Sequence, residues 1–304
     1  MKINTPLVSV AMATYNGAKY VTEQLNSILN QSYKNIEIVI TDDASTDNTL
    51  EIIKKVQLNN SQIKLFINAE NSGVNKTFES SFKNCSGNFI AIADQDDIWN
   101  ENKIELLLNN IDSEDAIYSN SELVDKLGNS LKVTTSQSMK MQSYYSGIPF
   151  LMGNCIPGHS ILMRRSFLIN ILPIPEAIMF DRWISFCAAG NNGIKYLDAA
   201  LVKYRQHDNN TVGVGKSKNK KLKKSKNELF KIKIAELLVC QKANIKDLET
   251  RKILNQMIEY FTKKLSIKRS IFFFKNMESL LIIKNKPYYR KVLYCIKMYF
   301  RPNY

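Results

Sequence analysis

The chain has 304 residues, with 42 Lys+Arg against 28 Asp+Glu and a net charge of +14. An apolar fraction of 44% suits a globular protein, and no apolar run approaches the ~20 residues of a membrane-spanning helix. The charge is uneven: residues 216–304 hold 24 Lys+Arg and 6 Asp+Glu, or +18, while residues 1–215 hold 18 and 22, or −4. A mildly acidic body thus carries a strongly basic C-terminal region, which suits an anionic surface as partner. Met1–Pro6 runs straight into a strand with one basic residue, so no signal peptide is expected. Cys85, Cys155, Cys187, Cys240 and Cys295 are widely spaced and odd in number, the pattern of reduced thiols in a cytosolic protein.

In chain order, Leu7–Ala13 is apolar and β-rich, followed by turn chemistry at Thr14-Tyr15-Asn16-Gly17. Ala18–Asn30 has a helical apolar period. Ile36–Ile40 is a second strand, ending in Thr41-Asp42-Asp43 before a helix through about Val56. Ile63–Ile67 is a third strand, and a short helix leads to Cys85. Phe89–Ala93 is a fourth strand, running into Asp94-Gln95-Asp96-Asp97-Ile98-Trp99, with a helix expected from Trp99 to about Asn110. Short alternation of strand and helix predicts a parallel sheet covered on both faces. Beyond it, a strand is expected near Ala116–Ser119, a hairpin turn at Val124–Asn129 and a strand at Gly158–Met163. A helix is expected at Phe180–Ala189, then two short strands at Ile194–Leu197 and Leu201–Tyr204; Ser130–Phe150 shows no clear pattern. From Lys216 to Lys226 the chain has seven lysines and one apolar residue, a boundary beyond which it is helical in pattern.

Strand ends carrying acids face the crevice at the carboxyl edge of the sheet, where open α/β folds bind ligands. Three carboxylates within four positions, Asp94, Asp96 and Asp97, repel one another unless a cation or donors compensate. Mg²⁺ commonly sits between such carboxylates and a substrate phosphate. The alternative is an acidic turn with Asp97 capping a helix. A carboxylate beside an aromatic ring, as Asp42 and Tyr15 would be, can hold a nucleobase; Asp42, Asp43 and Ser45 could instead cap the next helix.

With these motifs, and with Asn71-Ser72-Gly73-Val74-Asn75 and Tyr204-Arg205-Gln206-His207, the chain resembles the family 2 glycosyltransferases over about residues 6–212. The Asp-Gln-Asp-Asp-x-Trp form is similar to bacterial rhamnosyl-, glucosyl- and galactosyltransferases that build O-antigen and other surface polysaccharide. The resemblance implies an α/β fold of GT-A type, a mixed sheet with helices on both faces, plus a C-terminal helical basic extension. Residues 1–215 would be the catalytic domain, 1–110 its nucleotide-binding half and 111–215 its acceptor-binding half, with 216–304 a basic, helical region that would associate with a membrane. Thr14, Tyr15, Asn16, Asp42, Asp43, Asn75, Asp94 and Gln95 would hold a UDP- or dTDP-sugar. Tyr15 would stack on the pyrimidine, Asp42 accept from it and Asp94 hold the ribose. Asp96 and His207 would bind Mn²⁺ or Mg²⁺, although His207 could equally be a surface histidine bonded to Asp208. The resemblance makes Asp181 the catalytic base; a helix cap or a pairing with Arg182 is its alternative. Asp97, Trp99, His159 and Trp183 are assigned to the acceptor side. The family more often has Gly at the position of Ala44, and an aromatic or acidic residue at that of Arg182.

Gly213-Val214-Gly215-Lys216-Ser217 imitates a phosphate loop, but Asn210 stands where another glycine is needed and a lysine run follows. The tail from Pro287 alternates aromatic and aliphatic residues with cations, as interfacial helices do, with Tyr288, Leu293, Tyr294, Met298, Tyr299 and Phe300 as its apolar side. Packing on the body is the alternative. The expected partners are a nucleotide-sugar donor, a lipid-linked glycan acceptor and the inner face of an anionic membrane, for a cytoplasmic, peripheral protein. The acidic crevice argues against a nucleic-acid partner.

Overall fold

The computed structural model describes residues 5–207, 225–261 and 265–300. The Gly213–Ser217 imitation and most of the lysine run lie outside the described residues. Nine strands form one sheet: β1 (Val8–Thr14), β2 (Ile36–Asp42), β3 (Ile63–Ile67), β4 (Phe89–Ala93), β5 (Ile98–Trp99), β6 (Ala116–Val124), β7 (Ser130–Thr134), β8 (Ile161–Arg164) and β9 (Ile194–Arg205). Their order is β3-β2-β1-β4-β8-β6-β9-β5, with β7 paired to β6. The first four are parallel, β8 runs against both β4 and β6, and β9 is parallel to β6. The mixed sheet expected from the resemblance is therefore present.

β1 and β2 are buried almost along their whole length because both of their faces are covered, with Ser9 and Glu37 as polar residues inside them. Successive side chains point to opposite faces. Val8, Val10 and Met12 join one core with α1 (Val21–Leu29), α2 (Thr49–Gln57) and α4 (Lys103–Asn110). Ala11, Ile90 and Ile92 join the other, with α3 (Val74–Asn84), α6 (Arg165–Ile171) and α7 (Phe180–Ala189). The short α5 (Thr135–Ser138) and a 3₁₀ turn at Ile148–Leu151 occupy the stretch that the sequence left unpatterned.

Several boundaries differ from expectation. Trp99 does not begin a helix: Ile98 and Trp99 pair with Val202 and Lys203 of β9. The two short strands after Ile194 are one long strand, whose register slips twice beside Asn120 and so absorbs the polar interruption. Gly158–Ser160 is a 3₁₀ turn before β8.

The C-terminal helices are α8 (Lys226–Gln241), α9 (Leu248–Phe261), α10 (Ile267–Lys275), α11 (Met277–Leu280) and α12 (Tyr288–Lys297), with a final 3₁₀ turn at Met298–Phe300. They do not form a separate core. Phe230, Leu254, Phe273 and Met298 belong to the same buried cluster as Phe150, Phe180 and Trp183. The apolar side read for the tail is corrected at two positions. Met298 is fully buried and Tyr294 meets Phe273 at 6.0 Å, so both face inward, while Tyr289 and Ile296 face out.

Candidate active site

Parallel register brings three strand ends to one edge. Thr14 lies opposite Asp42, and Met12 lies opposite Ala93, one residue before the acidic cluster. The Gln95 amide binds the backbone of Tyr15 twice: Oε1 accepts from the Tyr15 N–H at 2.9 Å, and Nε2 donates to the Tyr15 carbonyl at 3.1 Å. Gly17 permits this, since a Cβ there would stand 2.2 Å from Gln95 Oε1. The amide clamp holds the Tyr15 backbone, while the residue as a whole stays 45% exposed.

The second strand's acids are committed to structure. Asp42 is fully buried and accepts from Thr14 Oγ1, the Ser45 N–H and Ser45 Oγ, all at 2.7–2.8 Å. Asp43 accepts from Asn68 Nδ2, the Ser72 and Gly73 N–H groups and Ser72 Oγ, tying down the loop before α3. Burial alone would push the Asp43 carboxyl up, but these donors outweigh it and hold it low. Neither acid caps α2, whose N-cap is Asn48. Asn16 and Ala44 both have positive φ (48° and 58°), and Asn16 Oδ1 accepts from the Thr46 N–H at 2.8 Å. Ala44 thus occupies a left-handed position that glycine holds more cheaply.

The acidic cluster divides by depth. Asp94 is the outermost, its side chain 38% exposed. Asp96 Oδ2 lies 2.8 Å from His207 Nε2, and the His207 ring stacks on Tyr20 with centroids 4.9 Å apart. Asp97 is fully buried: Oδ1 accepts from the Arg205 N–H at 3.0 Å, and Oδ2 has no hydrogen-bond donor. His159 Nδ1 lies 3.4 Å from that oxygen and 3.5 Å from Asp94 Oδ2, while its Nε2 meets Ser121 Oγ at 2.9 Å. Burial pushes the Asp97 carboxyl up against the opposing charge of His159, and the Asp94 and Asp96 charges add to the rise. Burial would lower His159, but the two carboxylates outweigh it and hold it protonated to higher pH.

Two basic residues beneath this cluster were not singled out in the sequence. Arg205 is 1% exposed; its guanidinium donates to the Asp96 carbonyl at 2.8 Å and pairs with Glu23 at 2.6 Å. Lys103 is fully buried, donating to the His159 carbonyl at 2.6 Å with its Nζ 3.3 Å from the centre of the Trp99 ring. Burial holds the Lys103 ammonium well below its usual range. The signal available was Arg205 between Tyr204 and His207, and a lysine directly preceding the apolar face of α4.

Asp181 is the second residue of α7. Its carboxyl is pushed up to about 6, first by burial and further by the charge of Asp94, against the Arg182 N–H and Asn154. Asn75 fixes the entry to this helix: Oδ1 accepts from the Phe180 N–H at 3.1 Å, and Nδ2 donates to the Ile178 carbonyl at 2.8 Å. Gly158 lets the turn carrying His159 touch the same entry, where a Cβ would meet the Phe180 ring at 2.9 Å and Asp181 Cβ at 3.4 Å. Arg182 does not pair with Asp181 through its side chain. It donates to the Phe150 and Leu151 carbonyls and bridges to Glu236 of α8 at 2.7 Å.

The structure therefore brings together Tyr15, Asp94, Gln95, Asp96, Asp97, His159, Asp181 and His207. It places Thr14, Asn16, Asp42, Asp43 and Asn75 as braces around them. The tryptophans assigned to the acceptor side are both in the core: Trp99 lies under Lys103, and Trp183 donates its indole N–H to the Ile171 carbonyl at 2.9 Å. The donor set fits a divalent cation. One ligand atom each from Asp94, Asp97 and His159 lie within 4.8 Å of one another, and Asp97 Oδ2 lacks a hydrogen bond, so two carboxylate oxygens and an imidazole are gathered as such a cation needs.

An uncharacterized glycosyltransferase of Nostoc sp. is 30% identical over 212 residues, covering 67% of this chain and 66% of the relative. A Rickettsia conorii relative is 33% identical over 217 residues, which are 68% of this chain and 35% of that longer one. The dTDP-rhamnosyl transferase RfbG of Shigella flexneri is 29% identical over 243 residues, 74% of this chain and 83% of RfbG. S. aureus TarS in complex with UDP-GlcNAc superposes with a TM-score of 0.61 at 20% identity, over 96% of this chain and 81% of that one, a likeness of fold. The mannosyltransferase PcManGT of Pyrobaculum calidifontis, in complex with GDP-Man and Mn²⁺, gives 0.54 at 16% identity over 97% and 80%. The model of the family described as Glycosyl transferase family 2 matches residues 9–172, and the chain belongs to that family.

Proposed function

We propose that the protein is an inverting glycosyltransferase that moves a hexose or deoxyhexose from a UDP- or dTDP-sugar to a lipid-linked glycan in surface polysaccharide synthesis. The observation that carries this reading is Asp181, a carboxyl held near pH 6 on a braced helix start and sensing the charge of the donor-side Asp94. RfbG, a dTDP-rhamnosyl transferase, is the relative whose name supports a deoxyhexose donor.

In this reading Tyr15 stacks on the pyrimidine, and Asp42 and Asp43 set the floor on which it rests. Asp94 takes the ribose. Asp96 and His207 would hold Mn²⁺ or Mg²⁺, which when bound neutralises the diphosphate leaving group. Asp181 removes the proton from the acceptor hydroxyl as that oxygen forms its bond to the anomeric carbon. The bond from the anomeric carbon to the diphosphate oxygen breaks, and its electron pair leaves with the nucleoside diphosphate. Among the described residues no helix is long and apolar enough to cross a membrane. The basic C-terminal region brings the enzyme to the inner face of an anionic membrane, where the acceptor lipid resides.

The test is a panel of UDP- and dTDP-sugars with a synthetic lipid-diphosphate glycan, read by mass spectrometry. One donor is expected to add the mass of one sugar residue. No addition from any donor, with donor binding retained, would favour a binding protein of the same fold.

A further inference from the structure

Two helices of the C-terminal region carry the same surface pattern. α10 exposes Ile267, Ile271 and Phe274, spaced by four and three residues and so forming one stripe. α12 and the turn after it expose Tyr289, Leu293, Ile296 and Phe300, again spaced by four, three and four. In each helix a pair of exposed cations borders the stripe: Lys268 and Lys275 on α10, Arg290 and Lys297 on α12.

The inner faces explain why the stripes point outward together. Ser270 Oγ donates to the Cys295 carbonyl at 2.8 Å, and the buried Arg269 donates through Nε to the Met298 carbonyl at 2.6 Å. Phe273 meets Tyr294. These contacts fix how α12 sits on α10, so the two stripes are held by one rigid unit. The inner sides of both helices, through Phe273, Cys295 and Met298, lie in the core cluster shared with the body, so the stripes face away from it.

We infer that α10 and α12 together form a docking surface for an anionic lipid bilayer. The inference deepens the membrane reading above and rests on it. Charge chooses this occupant over a second copy of the chain. Residues 265–300 hold 8 Lys+Arg and a single acid, Glu278, which faces Lys291 at 3.5 Å. Two such surfaces brought face to face would repel, whereas anionic headgroups satisfy the cations while the stripes enter the acyl boundary. Tyr289 and Phe300 suit that boundary, where aromatic rings reside.

The full chain is tested by co-sedimentation with vesicles of mixed phosphatidylglycerol and phosphatidylcholine, and with pure phosphatidylcholine, across a salt series. The probe variant is Ile271→Glu with Leu293→Glu, both positions being exposed, and circular dichroism confirms its fold. Wild-type protein should pellet with the anionic vesicles and be partly released by salt, which screens only the charged part. The double variant should lose at least about tenfold in vesicle partition while binding nucleotide-sugar as wild type does. Equal vesicle binding by both forms would overturn the inference and leave the membrane reading standing. No binding by wild type at any composition would overturn both. Light scattering that shows a dimer, dissociated by the double variant, would overturn the inference in favour of a second copy.

Discussion

Ala44 is a residue where local geometry and residue type disagree. Its φ of 58° lies in the left-handed region, which costs a Cβ-bearing residue roughly 1–2 kcal/mol. Its neighbour Ser45 binds Asp42 through both N–H and hydroxyl, so the turn is held in place despite this cost. Ala44→Gly should raise stability by about 0.5–1 kcal/mol, since relief of strain exceeds the entropy lost by a freer unfolded chain. Urea unfolding reads this directly, and a loss of stability would mean the turn carries no strain. At Asp96 the expectation concerns the metal. Mn²⁺ binding followed by electron paramagnetic resonance should weaken by at least about tenfold in Asp96→Ala, and EDTA should abolish wild-type transfer until Mn²⁺ or Mg²⁺ is restored. Unchanged Mn²⁺ affinity would shift the cation to Asp94, Asp97 and His159.

At the scale of elements, Glu37 of β2 joins four segments. It accepts from Ser9 of β1, from the N–H and hydroxyl of Ser86, and from Lys64 of β3 at 2.6 Å. Burial would push this carboxyl up, yet Lys64, Ser9 and Ser86 outweigh it and bring the group from 4.5 to about 2. A depressed folded-state value means the stabilisation is present above about pH 4.5 and is lost as pH falls toward about 2. Glu37→Gln should therefore cost on the order of 2–3 kcal/mol at pH 7 and much less near pH 2. A pH-independent deficit would assign the effect to packing. The strands around Glu37 were legible in the sequence because each is a short apolar run ending in turn residues. Trp99 was not, because what makes Ile98 and Trp99 a strand is β9, a partner about a hundred residues away. Asp42 and Asp43 read as ligand groups for a similar reason: Thr14, which donates to Asp42, and Ser72 and Gly73, which donate to Asp43, sit on segments that only folding brings near. Lys103 was not legible because sequence period does not show that the Trp99 ring and the His159 carbonyl meet its ammonium.

At the scale of the whole molecule, the basic C-terminal region proves to be two things. Its inner faces complete the core behind α7, and its outer faces remain open. The composition break at Lys216 was legible, but the shared core was not, since it depends on Arg182 turning away from Asp181 toward Glu236. Glu236 lies within a partly buried group of three charges, where Lys233 and Arg182 outweigh burial and hold its carboxyl low. Glu236→Ala should cost about 3 kcal/mol by stranding those cations, and it should shift a single cooperative unfolding transition rather than split it. Two separated transitions in the wild-type protein would show that the C-terminal helices fold apart from the body.

In the proposed reading, a base on α7 completes a donor crevice at one sheet edge. Single-turnover transfer of Asp181→Asn against wild type, from pH 5 to pH 8, with donor binding measured in parallel by calorimetry, tests it most directly. Wild-type transfer should rise through about pH 6 as Asp181 loses its proton. The variant should bind donor as tightly, transfer at least ~10²-fold more slowly and lose that rise. Unchanged transfer, or a collapse of donor affinity with the pH profile intact, would contradict Asp181 as the base.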